Sequence, residues 1–366
     1  MTKAGKIDIN AMKKFVNKKV GLDIAHDLNE DNPTEVKEWI PTGSRWLDSI
    51  ICRGQLAGIP VGKFTEIAGL ESTGKSFMAA QCAANAQKMG MNVVYMDSES
   101  AIDPGFLERT GCDLENLIYV QAQSVEHVLE TVEAVLASGA ERTLFIWDSL
   151  ALTPTVSDVE GDFNPQSSMA VKPRIFSKAF PKLTIPLANN QCTLLLINQL
   201  KTNITTNVAE AMTTPYVAPG GKAIEYFCSL RIWLTKRKAK ASFVTDGTGL
   251  RIGSEVKVKM EKSRFGSEGR TCGFKILWGK DVGIQDEESW LEALRASGSD
   301  RFKPGAWNKI YDRDGKEYKF QRSQWIKKLQ IPEFRSVVFD IMDDEIIRKF
   351  ESEGKNFGLE GESEEA

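Results

Sequence analysis

Between residues 69 and 76 the chain reads Gly69-Leu70-Glu71-Ser72-Thr73-Gly74-Lys75-Ser76, two glycines bracketing four residues with a lysine and a serine behind the second. Glycines at these places let backbone N–H groups curl around an anion, and let it approach closer than a side chain would permit. Lysine adds a fixed positive charge and serine a hydroxyl ligand for a hard cation, so the octet is a full phosphate-binding loop. Its flanks agree with that chemistry. Strand-like KFTEIA enters the loop and FMAAQCAANAQKMG leaves it as a helix that Gly90 can end, which sets the loop at a helix N-terminus. In such a setting Lys75 reaches the β- and γ-phosphates of a nucleoside triphosphate and Ser76 ligates Mg²⁺.

Two carboxylates downstream have the placement this loop needs. The apolar run TLFIW delivers Asp148 at its C-terminal end. Ligands of parallel sheets gather at that end of the strands, so Asp148 is placed to hold Mg²⁺ through water. An aspartate ending a strand also serves as a turn residue or helix cap, and the loop upstream favours the metal. The run NVVYM ends in Asp97-Ser98-Glu99, where Glu99 can lie over the γ-phosphate and orient or deprotonate a water. Spacing alone allows a helix-capping loop at Glu99 equally well.

Such residues require a sheet to hold them. From Lys63 to about Leu277, the runs FTEIA, NVVYM, LIYVQ, TLFIW, TLLLI, LRIWL, EVKVKM and CGFKIL alternate with amphipathic helical stretches. This alternation predicts an α/β domain with a largely parallel central sheet, and the last two runs, with no helix between them, predict an antiparallel edge. Ile9, Met12, Phe15 and Val16 stand at helical spacing among lysines, so residues 1–40 are expected to form a helical arm. After Gly283 the pattern turns to helices such as EESWLEALRAS and EFRSVVFDIMDDEIIRKF, with Trp307, Tyr311 and Phe320 between them. A smaller α-rich domain is expected there, over 285–350, with Trp290, Trp307 and Trp325 in its core. Residues 351–366 carry six glutamates against one lysine and are expected to be a disordered acidic tail.

A length of 366 residues suits about two domains. With 47 Lys and Arg against 50 Asp and Glu, the net charge of -3 supplies no global basic field, so any DNA site is a local surface. Lys236, Arg237, Lys238 and Lys240 follow LRIWL and read as a solvated hairpin end in preference to a second DNA surface. The six cysteines include no CxxC pair and read as buried thiols in a reducing compartment, while the lone His26 and His127 read as structural. No run suits a signal peptide or reaches the roughly 18 apolar residues of a membrane span, so a soluble cytoplasmic protein is expected.

Taken in order, PTGSRWLDSI, GLESTGKS, MDSESAIDP, FIWDSLALTP, LLLINQ, PGGKA, GSEVKVKMEKSR and FKILWG resemble the RecA recombinases, and among them the UvsX-like phage branch, over about residues 41–285. The resemblance implies a P-loop RecA-like core over 41–284 and an enzyme that uses ATP and Mg²⁺. As partners it implies single-stranded DNA, homologous duplex DNA, and further copies of the chain in a helical filament, with single-strand-binding and mediator proteins beside them. The arm would then contact a neighbouring subunit. It makes Glu99 the catalytic glutamate, and sets Asp103 and Phe106 where the family contacts and stacks on adenine. Bacterial members often carry tyrosine there, and phenylalanine keeps the stacking face. Gln199 matches the glutamine that senses the γ-phosphate and leads into the second DNA loop; on its own it is a buried amide at a strand end.

Segments 157–170 and 200–222 match the family's two DNA loops. The second is long and rich in Thr, Asn and Gly, which suits a loop that orders on its ligand. Phosphate contacts would come from the backbone N–H groups of Gly220 and Gly221, the Arg174 side chain and Lys201, giving binding without sequence preference. Pro173, just before Arg174, departs from the family helix. Lys262 and Arg264 alternate with Ser263 and so point to one side of an extended chain. By themselves they are two solvated cations at a strand end. They match two family cations, usually lysines, that face the neighbouring subunit's ATP, and an arginine keeps the charge while adding a fork suited to phosphate oxygens.

Two other functions share many of these residues. A hexameric helicase or packaging motor of the same core would use the same loop, Asp148 and Glu99, but the long segment ending in Pro219-Gly220-Gly221 and the acidic tail favour recombination. A nucleotide-gated DNA-binding mediator without turnover would lack Lys75, Ser76, Asp148 or Glu99, and all four are present.

Overall fold

The computed structural model describes residues 8–29, 32–161, 170–207, 213–236, 242–278 and 282–347. The acidic tail, the centres of the two DNA-loop segments, and Arg237, Lys238 and Lys240 lie outside the described residues. Helix α1 (Ile9–Val20) is the expected arm, capped by Asp8, whose carboxylate accepts from Ala11 N at 3.1 Å, and ended by Gly21 at φ 74°. Ile9 and Phe15 are 61% and 60% exposed, so the arm's apolar stripe is largely uncovered in the single chain. Strands β1 (Trp39–Ile40) and β2 (Ile59–Pro60) pair antiparallel around α2 (Arg45–Ile51).

The main sheet contains β3 (Phe64–Gly69), β4 (Asn92–Asp97), β5 (Leu117–Gln121), β6 (Thr143–Asp148) and β7 (Thr193–Gln199). After two short strands, β8 (Lys201–Thr202) and β9 (Tyr216–Val217), it continues with β10 (Cys228–Thr235), β11 (Phe243–Thr245), β12 (Arg251–Ser263), β13 (Thr271–Leu277) and β14 (Gly283–Gln285). Its order is β14-β13-β12-β10-β3-β7-β6-β4-β5, with β11 beside β12. All pairs from β10 to β5 are parallel, and the pairs among β10–β14 are antiparallel. The expected α/β architecture with an antiparallel edge is therefore what forms.

Strands β3, β6 and β7 are buried nearly throughout because helices cover both faces, which is why they read as continuous apolar runs. On one face lie α2 and α3 (Lys75–Lys88), whose Ala79, Ala80, Ala83 and Ala84 let the helix settle closely on the sheet. Helix α4 (Pro104–Arg109) adds Leu107 there. The other face packs α5 (Val125–Ala137), α7 (Val171–Asn189) and α8 (Lys222–Phe227), with the short α6 (Val156–Glu160) between α5 and α7 in sequence.

A third apolar cluster, with Trp290, Phe320, Trp325 and Phe334, is built from α9 (Glu287–Ser297), α10 (Trp325–Leu329) and α11 (Pro332–Met342). It also holds a three-stranded sheet of β15 (Phe302–Lys303), β16 (Asn308–Tyr311) and β17 (Glu317–Phe320). Strands this short show too little alternation to be read from sequence. Trp307 departs from its expected core position and is 52% exposed. The cluster is tied to the sheet domain by Asp286, which accepts from Ser44 Oγ and Trp46 N at 2.7 Å each, and by Arg45, whose guanidinium lies 3.8 Å from the Phe339 ring centre.

Under the phosphate loop the sheet buries an ion pair. Glu66 on β3 and Arg231 on β10 stand in register, Nε to Oε2 at 2.6 Å. Asn198 on β7 completes the group by donating to Glu66 Oε1 and to Pro219 O, each at 2.8 Å. Removing one member of a buried pair strands its partner's charge. Arg231→Leu is therefore expected to cost about 3–5 kcal/mol in urea unfolding, and Glu66→Leu with Arg231→Leu together less than the single change. A double variant as unstable as the single one would contradict this.

Candidate active site

The loop between β3 and α3 depends on both its glycines. A Cβ on Gly69 would stand 2.5 Å from Thr73 Oγ1 and 2.9 Å from Leu234 O; one on Gly74, which has φ 82°, would stand 2.2 Å from Ile276 Cδ1. Gly74 leaves the first turn of α3 without a side-chain cap, so its N–H groups are available to an anion. Leu70, Glu71, Ser72 and Thr73 form the turn, Ser72 at φ 53°. Lys75 Nζ donates to Leu70 O at 2.9 Å. Burial pulls the Lys75 pKa below the ordinary lysine value, and Asp148, Glu99 and Glu71 oppose that pull. A polyphosphate would supply the anionic partner this ammonium needs.

Asp97 and Asp148 end adjacent strands in register. Asp148 is buried and accepts from Tyr95 Oη at 2.9 Å, with the Ser76 hydroxyl near enough to oppose the rise in its pKa. Burial raises its pKa above the usual carboxylate range, against these two hydroxyls. Ser76 and Asp148 therefore face one another as two oxygen donors, and phosphate oxygens and water would complete the shell of a hard cation. Glu99 is exposed just beyond β4, its Oε1 accepting from Ser149 Oγ at 2.8 Å.

What fixes Glu99 is Asp97, which the sequence reading passed over. Its buried carboxylate accepts from Glu99 N at 2.8 Å, Ala101 N at 3.0 Å, Ile102 N at 3.1 Å and Tyr119 Oη at 3.1 Å. An aspartate that ends a strand just before a polar turn is the signal that could have found it.

Other expected residues divide between two ends of the sheet. Gln199 is in register with Gly69, and Leu200 N donates to Gly69 O at 3.0 Å, so Gln199 abuts the loop. Asp103 caps α4 by accepting from Phe106 N at 2.9 Å. Phe106 packs edge-on against Phe77, centroids 6.0 Å apart, and lines a cavity of about 460 Å³ beside Ser72–Phe77.

Gly220 and Gly221 have φ 110° and 76°; a Cβ on the first would stand 2.2 Å from Ile224 Cδ1, and one on the second 3.1 Å from Pro173 Cβ. The end of segment 200–222 thus meets the chain just beyond segment 157–170. Pro173 lies in the first turn of α7, where its missing N–H costs nothing, and Arg174 is exposed on the continuing helix. Segment 200–222 is not wholly irregular, since exposed Lys201 pairs with Val217 in a β8–β9 ladder. Lys236 is tied to the phosphate loop, donating to Ser72 O at 3.0 Å, and is no free hairpin end.

Lys262 and Arg264 are not brought to Lys75. Ser263 pairs with Leu230 while Leu234 pairs with Gly69, so the two cations lie four residues of β10, roughly 13 Å, from the loop. Here they cap the carbonyl end of α8. Lys262 Nζ donates to Glu225 O and, at 3.2 Å, to Tyr226 O; Arg264 Nη2 donates to Tyr226 O at 2.8 Å.

A family model described as the RecA N-terminal domain matches residues 7–284. The chain belongs to the RecA family. Protein RecA of Streptomyces avermitilis is similar to it at 33% identity over 277 residues, 76% of this chain and 69% of the relative. Protein RecA of Mannheimia haemolytica is 30% identical over 313 residues, 86% of this chain and 80% of the relative. The match to the family model ends within β14, the last strand of the main sheet.

Cation binding at Ser76 and Asp148 requires the ionised carboxylate, so magnesium-dependent triphosphate binding is expected to fall as pH drops through the raised Asp148 pKa. Tyr95→Phe removes a hydrogen bond to that carboxylate and raises its pKa further. The loss should then begin at a higher pH than in the unaltered chain, in titrations carried from neutral pH down through the carboxylate range. An unmoved midpoint would contradict the assignment.

Proposed function

We propose that the chain is an ATP-dependent DNA recombinase of the UvsX-like phage branch, which assembles as a helical filament on single-stranded DNA and catalyses homologous pairing and strand exchange with duplex DNA. The observation that carries this reading is the meeting of Lys75, Ser76, Asp148 and Glu99 at the C-terminal end of the sheet, where segment 200–222 leaves β7 and the chain beyond β6 leads through α6 into segment 157–170. ATP with Mg²⁺, when bound, supplies the bond to be broken and the charge neutralisation across its phosphates. The two glycine cradles, the under-partnered Lys75 ammonium and the facing Ser76 and Asp148 oxygens fit that group.

In this reading Lys75 and the N–H groups of residues 70–76 hold the phosphates, and Ser76 with Asp148 holds the cation. Glu99 orients a water and takes its proton, held in place by Asp97 and Ser149. Gln199 passes the state of the γ-phosphate into segment 200–222, and Asp103 and Phe106 meet the adenine. Gly220, Gly221, Arg174 and Lys201 bind the DNA backbone, which gives binding without sequence preference. Three separate apolar clusters support dividing the chain near residue 284. A cytoplasmic place, that of the host for a phage protein, and single-strand-binding or mediator partners belong to the same reading. A RecA-core motor would share the hydrolytic residues; the exposed apolar stripe of α1 favours a filament with an arm on its neighbour.

In this reading Lys262 and Arg264 serve a neighbour's site, which their distance from the chain's own phosphate loop supports. Glu99→Gln is expected to keep ATP binding while losing about a hundredfold or more in turnover, and Arg264→Ala about a thousandfold. Mixing the two re-forms one complete site at each junction where the Arg264→Ala subunit supplies Glu99 and its neighbour supplies Arg264. Partial return of DNA-stimulated hydrolysis is the expected result. No return, with co-assembly verified by cross-linking, would overturn action between subunits.

A further inference from the structure

The cavity beside the phosphate loop has a second wall. Facing Phe106 and Phe77 are Arg251, Ser254 and Val256 of β12, and Ile276 and Trp278 at the end of β13. The Arg251 guanidinium lies 3.9 Å from the centre of the Phe243 ring and 5.0 Å from that of Trp278. Its plane is fixed by Nε donating to Gly253 O at 3.2 Å and by Nη2 donating to Ser254 Oγ. Strand pairing assembles this corner, because Thr245 of β11 pairs with Arg251 and Trp278 N donates to Ile252 O at 3.0 Å. Among the described residues Nη1 has no hydrogen-bond acceptor from the protein, while Trp278 is left 47% exposed at the cavity.

Two groups of a nucleotide could answer a cation held this way, a phosphate or a base. The phosphates already have Lys75 and the first turn of α3. Around Arg251 the lining is instead apolar and aromatic, with Val256, Ile276, Trp278 and Phe106. A flat purine stacks well on an indole or guanidinium face, and its ring nitrogens accept hydrogen bonds. We infer that Arg251, held by Phe243 and Trp278, is a positioning residue for the nucleobase, forming the wall opposite Phe106 and donating through Nη1 to the base edge. Arg251 and Phe243 lie outside the segments that resemble the RecA recombinases. The inference rests on the ATP reading and adds to it the residues that grip the base.

Calorimetric titration of the full chain with magnesium ATP, and with magnesium tripolyphosphate as the base-free probe, separates the two. Arg251→Ala is expected to weaken ATP about tenfold while tripolyphosphate binding, whether measurable or weak, stays as it is in the unaltered chain. Trp278→Leu should behave alike, and Trp278→Tyr should restore most of the loss. ATP should also quench tryptophan emission in the unaltered chain more than in Trp278→Phe, a signal a merely structural role would not produce. Unchanged ATP affinity in Arg251→Ala, equal weakening of both ligands, or equal quenching with and without Trp278 would each overturn the inference. Failure of the unaltered chain to bind ATP at all would overturn the ATP reading beneath it.

Discussion

A half-buried ammonium and a buried carboxylate, Lys75 and Asp148, stand at the ends of β3 and β6, on either side of β7. Burial works against the charge on each, lowering the lysine pKa and raising that of the aspartate, and the attraction between them only partly offsets it. Much of the nearby architecture meets that cost. Gly69 and Gly74 give the loop its path, Tyr95 bonds the carboxylate with the Ser76 hydroxyl close by, and Asp97 holds the turn that carries Glu99. A triphosphate and a divalent cation are the partners that would satisfy both charges at once.

The same demand extends inward. Glu66, Arg231 and Asn198 form a closed polar group in the middle of the apolar sheet, and Asn198 binds Pro219 just before the two glycines that end segment 200–222. Buried ion pairs seldom add much stability over an apolar core of the same shape. This one joins β3, β7 and β10 to the exit of that segment, so the strand entering the glycine loop and the chain returning from segment 200–222 share one set of hydrogen bonds. Helix α8 follows at once, and its carbonyl end is held by Lys262 and Arg264.

Much of this was legible in the sequence, because long-range constraints had local marks. The octet at 69–76 names its own geometry, since only glycine fits where a Cβ would meet Thr73 or Ile276. Strands buried on both faces announce themselves as apolar runs, and α1 by the spacing of Ile9, Met12, Phe15 and Val16. What escaped was set by contacts across the fold. Asp97 reads as an ordinary turn residue until its four donors are seen. The Glu66–Arg231 pair spans 165 positions of chain. Arg251 gains meaning only when β11 and β13 bring aromatic rings to it, and β15–β17 are too short to show a period.

In the proposed reading two copies of the chain build one nucleotide site, because Lys262 and Arg264 lie away from their own chain's Lys75. Electron microscopy of the full chain with single-stranded DNA and a slowly hydrolysed ATP analogue tests that most directly. The account predicts a helical filament in which Lys262 and Arg264 of one subunit reach the phosphates bound at the next subunit's Lys75. Closed rings, or a filament in which both cations remain on the carbonyls of α8 and away from the neighbouring phosphates, would contradict it.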